Sequence, residues 1–500
     1  MRKSGILMHI TSLPSPYGIG TLGKDAFDFL KFLKKSGQAS WQMLPLTPTG
    51  YGDSPYQSCS AYAGNPYLID LDLLIADGLL LPEEPEGICW GDDPTRVDFG
   101  RIYNNRTPVL KKAFARFSDD AALDAFCGEN QDWLPDFALF MALKEDHQGK
   151  PWFQWEQALK FREPEALARA EEALAEQIRF YCFVQYLFAK QWAALRKKAT
   201  KMGIELIGDV PIYVPYDSVE VWKDPRLFQL DEELTPTAVA GCPPDGFSAD
   251  GQLWGNPLYR WDVLEAEGFD WWLRRLGAAG KLFDVIRLDH FRGFEAYWAV
   301  PFGDANARGG QWVKGPGMAF VNALKQGLPN IRFIAEDLGF LTEEVLKLRD
   351  DSGYPGMKVL GFAFDSREPS EYQPHTYTRN TVCYTGTHDN MTTKQWFDSA
   401  PAEAAALARD YMALTKKEGY VWGTIRTALS SVSDLAVVQM QDYLELGGEA
   451  RMNFPGTTGA NWVWRATPGY LSGRLAGKIA KLSALYGRTP PAPKKKKSRK

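Results

Sequence analysis

KLFDVIRLDHFRGFE (residues 281–295) decides the fold of this chain. Its middle, FDVIRL, has the apolar density of a strand buried on both faces, the kind that parallel sheets contain. Yet Arg287 and Asp289 stand at its end. A charge in a core costs several kcal/mol unless it is paired or used. Strand side chains alternate faces. Val285, Arg287 and Asp289 therefore share one face, and Ile286 and Leu288 the other.

Six more apolar segments end in polar or charged residues: GILMHI (5–10), WQMLPL (41–46), GIELIGDVPIYV (203–214), IRFIAEDLG (331–339), MKVLGFAF (357–364) and TVCYTGTHDN (381–390). Helical patterns such as GKDAFDFLKFLKKSG (23–37) and TEEVLKLRDDSG (342–353) lie between several of them. Strand–helix alternation predicts a parallel α/β fold. With a weaker eighth candidate near ARMNFPG (450–456), the expectation is a (β/α)8 TIM barrel. Residues at about 100–200 carry helical periodicity throughout and read as an inserted helical subdomain. The region at about 215–260 reads as a lid-like loop region. Residues 1–490 are expected to form one catalytic domain, and 491–500 a disordered basic tail.

Composition narrows the function. The 500 residues are 45% hydrophobic and 24% charged, enough apolar material for a large core. Net charge is −5, and the six cations of KKKKSRK (494–500) leave the rest of the chain at −11. An acidic body argues against nucleic acid as partner. No apolar run approaches the ~20 residues that span a bilayer, and MRKSGILMHITSLPSPYGIG does not read as a signal peptide. Six scattered cysteines without a CxxC pair fit thiols in a reducing cytoplasm.

Period-two counting places Asp209, Asp289, Glu336 and Asp389 on the presumed inward face of four different strand ends. The C-terminal mouth of a barrel is where active sites sit. Converging carboxylates serve either divalent cations or glycoside chemistry, in which one attacks and another protonates the leaving oxygen. Arg287 competes with a metal and would keep Asp289 ionised as a nucleophile. Acids near Glu336 would raise its pKa, as a proton donor requires. An aromatic content of 13% suits sugar-stacking platforms. Metal-dependent chemistry and an enolase- or aldolase-like barrel remain alternatives on these residues alone.

IRLDHFRG (286–293), FIAEDLG (333–339) and YTGTHDN (384–390) resemble the three catalytic blocks of the amylomaltases, the 4-α-glucanotransferases related to the α-amylase clan. The resemblance runs from LPSPYGIGTLG (13–23) to PGTTGANWVWR (455–465), through GYGDSPYQSCSAYAGNPYLIDL (50–71), GDVPIYVPYDSVEVW (208–222) and PPDGFSADGQLWGNPLY (243–259). One departure is Val219–Glu220, where the family pattern has alanine–aspartate. The resemblance implies transfer of an α-1,4-glucan segment to the 4-hydroxyl of glucose or another glucan, by a retaining double displacement. A retaining hydrolase is the alternative. It makes Asp289 the nucleophile, Glu336 the acid/base and Asp389 the group that stabilises the distorted ring. Arg287 would orient Asp289, and His388 and Asp209 would bind hydroxyls of the reacting sugar. It assigns Tyr51, Tyr56, Asp245, Trp254, Asn256 and Asn461 to substrate binding, with Phe247 as a further aromatic of the same loop. It implies no cofactor, no metal and no membrane partner.

Overall fold

The computed structural model describes residues 2–244, 248–365 and 370–490. Eight parallel strands appear in chain order around one sheet: β1 (Lys3–Leu7), β2 (Ser40–Gln42), β3 (Glu205–Val210), β4 (Val285–Leu288), β5 (Arg332–Ala335), β6 (Gly356–Val359), β7 (Thr381–Tyr384) and β8 (Leu435–Gln439). Consecutive strands pair except β5 with β6, and β8 pairs with β1. The ring closes between β5 and β6, where the Ala335 N–H donates to the Pro355 carbonyl at 3.0 Å. This is the expected TIM barrel, with one correction. The eighth strand is LAVVQ, not ARMNFPG; residues 451–456 form a loop over the barrel mouth.

Amphipathic helices coat the barrel. Lys24–Lys35 buries Phe29, Leu30 and Leu33 against it and leaves its lysines in water. Each such apolar side chain contributes roughly 1.5–3 kcal/mol. Between β2 and β3 the chain is mainly helical. It contains Phe99–Arg116, Asp120–Glu129, Leu134–Asp146, Pro164–Ala173 and the 28-residue Ala175–Met202. Local chemistry sets their ends. Asp98 and Asp119 accept from backbone N–H groups in the first turn, and Gly203 stops the long helix at φ 70°.

A second, antiparallel sheet stands beside the mouth, in the order Gln252–Pro257, Ala238–Cys242, Ala296–Pro301, Gln311–Lys314. It corrects the loop reading of residues 241–257, whose two arms are strands. Gly241 and Gly255 hide the alternation. A Cβ at Gly241 would stand 2.5 Å from the Gln252 carbonyl oxygen of the neighbouring strand. Among the described residues, no helix is long and apolar enough to cross a membrane.

Candidate active site

The register of β3 against β4 sets Asp209 directly opposite Arg287. Arg287 is 3% exposed in its side chain and Asp209 0%. Arg287 Nη1 reaches both oxygens of Asp209 and Oδ1 of Asp289, each at 2.8 Å. The charge that looked misplaced in FDVIRL is thus shared between two carboxylates. Asp209 also accepts from the Tyr56 hydroxyl at 2.8 Å. With both oxygens engaged and no exposed side-chain surface, Asp209 holds Arg287 and Tyr56.

Asp289 sits one residue beyond β4, its N–H tied to the Val210 carbonyl at 3.0 Å. The next residue, His290, adopts φ 49°, ψ 49°. A left-handed non-glycine conformation costs on the order of 1–3 kcal/mol. It turns the His290 N–H onto Glu336 Oε2 at 2.6 Å. Glu336 is fixed further by Leu338 N–H on Oε1 at 3.1 Å, and by backbone bonds to Leu288 and Phe291. The strain therefore positions one carboxyl beside the other.

These two groups separate in proton affinity. Burial raises Asp289 to about 6, opposed by Arg287 and reinforced by Asp209. Arg287 was expected to keep Asp289 ionised, and a group near 6 is still mostly ionised at neutral pH. Arg287 divides its charge between two acids, so burial outweighs it in the direction of the shift. Glu336 rises well above the usual carboxylate range, first through burial, with Asp289 adding to the rise against Arg287. Arg287 touches Asp289, and Asp289 keeps 26% of its side chain accessible, so the proton resides on Glu336.

Asp389 follows β7 and is open to the cleft, with 41% of its side chain exposed. Burial pushes its pKa up, but His388 and Asn453 outweigh burial and hold it below the ordinary range. Asn453 Nδ2 donates to Oδ1 at 2.6 Å, His388 Nε2 stands 3.2 Å from Oδ2, and Arg451 donates to the Asp389 carbonyl at 2.9 Å. Sequence reasoning missed Asn453 and Arg451. They lie in the segment read as a strand, and only the fold brings them across the mouth. Tyr56 stacks on His388 with centroids 5.0 Å apart, and Trp462 packs against both rings.

Trp254 meets His290 edge to face at 4.8 Å, next to Asp289. Asn256 is buried and accepts from Gln57 Nε2 at 3.3 Å. Asn461 is buried and staples its own loop, accepting from the Phe454 N–H and donating to the Thr457 carbonyl, each at 3.0 Å. Asp245, Phe247, the Tyr51 side chain and the tail 491–500 lie outside the described residues. Among the described residues, no group of three or more His, Cys, Asp or Glu is arranged to hold a metal ion.

Asn453→Ala removes a hydrogen bond to an ionised carboxylate, worth about 1.5–3 kcal/mol. The expected result is a fall in kcat of roughly 10–100-fold, with a melting temperature lowered by only a few degrees, since water reaches the exposed Asp389. Steady-state kinetics on maltotriose alongside a thermal melt checks this.

Comparison with known proteins agrees with this geometry. The family described as 4-alpha-glucanotransferase matches residues 8–471. A 4-alpha-glucanotransferase of Thermus thermophilus is 51% identical over 485 residues, covering 94% of this chain and 96% of the relative. One from Clostridium butyricum is 47% identical, covering 96% and 100% respectively. The amylomaltase of Streptococcus agalactiae, solved in complex with acarbose, superposes with a TM-score of 0.96 at 42% identity, over 98% of this chain and 100% of that one. A chain with this barrel, these strand-end acids and this full-length similarity belongs to the 4-alpha-glucanotransferase family.

Proposed function

We propose that the cleft performs glucan transfer by a retaining double displacement on α-1,4-glucans and maltooligosaccharides. One observation carries the mechanism: Asp289 is bound to the buried Arg287, and the buried Glu336 takes the hydrogen bond from the N–H of the next residue, His290, where burial favours its protonated form. Asp289 attacks the anomeric carbon as the glycosidic bond breaks, and Glu336 gives its proton to the departing oxygen. A covalent glucosyl-enzyme results. Glu336, now ionised, takes the proton from the 4-hydroxyl of an incoming glucose or glucan, which attacks and releases Asp289.

Asp389 accepts hydroxyls of the distorted ring, and the low pKa ascribed to His388 and Asn453 keeps it ionised for that work. His388 lines the same subsite. Arg287 is oriented by Asp209, and Tyr56 is held between Asp209 and His388, so these groups set the subsite's shape. Trp254 offers an aromatic edge to the acceptor side, and we assign Tyr51 and Asp245 to substrate contact as well. No cofactor enters the reaction. We place the enzyme in the cytoplasm, in keeping with Cys59, Cys182 and Cys383 standing as thiols.

Incubation with maltotriose alone tests the assignment. A ladder of longer and shorter maltooligosaccharides is expected on a chromatogram. Glucose and maltose alone would make the enzyme a hydrolase, and unchanged maltotriose would leave only a binding protein.

A further inference from the structure

His388 and Asp389 stand on residues 385–393, which join β7 to the helix Thr393–Ser399. The interior of this segment is tied to itself. The Thr387 N–H and hydroxyl both donate to Asn390 Oδ1, at 2.8 and 2.9 Å, and Thr387 Oγ1 accepts from the Asp389 N–H at 3.3 Å. It is therefore one stiff unit, and its aim depends on how its two ends are held.

A single side chain holds both ends. Asp442 lies in the helix Met440–Tyr443 that follows β8. Its Oδ2 accepts from the Thr385 hydroxyl at 2.5 Å, and its Oδ1 accepts from the Thr393 N–H at 2.7 Å. Asp442 is 0% exposed, and Thr385 and Thr393 are buried with it. Such a carboxyl cannot touch substrate, and keeping it from water is costly unless it is used. Burial raises its pKa, opposed by the bonds from Thr385 and Thr393. The segment also lies hard against β8, since a Cβ at Gly386 would stand 2.3 Å from Gln439 Nε2.

We infer that Asp442 is a positioning residue of the transfer reaction, bracketing residues 385–393 so that Asp389 and His388 meet the reacting sugar, on the reading that Asp389 binds hydroxyls of the distorted ring. Arg451 and Asn453 grip Asp389 directly, while Asp442 fixes the backbone on either side of it. A misplacement on the order of 1 Å costs about 10²-fold when the displaced group acts in the transition state. The loss then falls on kcat more than on KM.

First-turnover fluoride release from a glucosyl fluoride, measured in a double-mutant cycle, tests the role. Asp442→Ala and Thr385→Val should each slow release by roughly 10–100-fold. Asparagine at 442 can accept from the Thr393 N–H and donate to Thr385 Oγ1, and serine at 385 keeps the hydroxyl. Asp442→Asn and Thr385→Ser should therefore stay within about threefold of the native rate. In an Asp389→Ala background, Asp442→Ala should add less than about twofold, because the group it positions is gone. Thr385→Val leaves the Thr393 N–H bonded and carries the same cycle should Asp442→Ala not fold. The same factor lost in both backgrounds would make Asp442 a merely structural residue. Native release by Thr385→Val, or Asp442→Asn as slow as Asp442→Ala, also overturns the role. Native release by Asp389→Ala would remove the role of Asp389, and with it that of Asp442. Redistribution of maltotriose by the native enzyme judges glucan transfer separately.

Discussion

Asp289→Asn will lower glucan transfer by at least roughly 10⁴-fold, the scale of losing a covalent nucleophile, while the protein stays folded. The folded state survives for an electrostatic reason. Removing one member of a buried ion pair usually strands the other charge, at a cost of about 3–5 kcal/mol. Arg287 is not stranded, because both oxygens of Asp209 remain at 2.8 Å. Asparagine also keeps an acceptor oxygen at the position of Asp289 Oδ1. Chemistry and stability therefore separate at this residue. The measurement is a thermal melt beside the maltotriose assay, followed by trapping of the native enzyme with a fluorinated glucosyl donor. Mass spectrometry should find the label on the peptide that contains Asp289. Label on Glu336 or Asp389 would transfer the nucleophile's role to that residue.

The parallel strands were legible because burial on both faces leaves near-continuous apolar runs. The exception, LAVVQ, passes without a turn into the helix Met440–Tyr443, so its signal merges with a helical one. The antiparallel sheet was not legible. Gly241 and Gly255 interrupt two of its strands, and those two flank residues that read as a loop. The strand-end acids could be found by counting in twos, since a parallel strand fixes which face each residue takes. What counting cannot supply is who occupies a side chain. Asp209 looks like a free acid until Arg287 and Tyr56 are seen on its oxygens. The amide of Asn461 staples residues 454–457, a partnership that no spacing announces. Asn453 carries no pattern at all, because its partner Asp389 is 64 residues away.

Glu336→Gln separates the two half-reactions by their need for a proton. In the native enzyme the rate on maltotriose is expected to rise with pH as Asp289 ionises near 6, and to fall where Glu336 loses its proton, above the ordinary carboxylate range. The signs follow from the roles: the nucleophile must be charged and the donor must be neutral. Glutamine mimics the neutral donor but has no proton to give. Transfer from maltotriose should fall by about 10²–10⁴-fold, the usual contribution of general acid catalysis. A glucosyl fluoride leaves without protonation, so the first turnover, read as released fluoride, should be nearly preserved. Its pH profile should keep the limb near 6 and lose the alkaline limb. The acid limb stays in place because Glu336 is already uncharged in that range, so the substitution does not change the field on Asp289. The cost to the fold is small. The glutamine oxygen retains the 2.6 Å bond from His290, and only the longer contact from Leu338, at 3.1 Å, is lost, about 1 kcal/mol. Equal losses on both donors, or an alkaline limb that persists, would mean that the proton comes from elsewhere in the mouth. Asp389 is a poor substitute, since the low pKa ascribed to His388 and Asn453 leaves it without a proton throughout the working range.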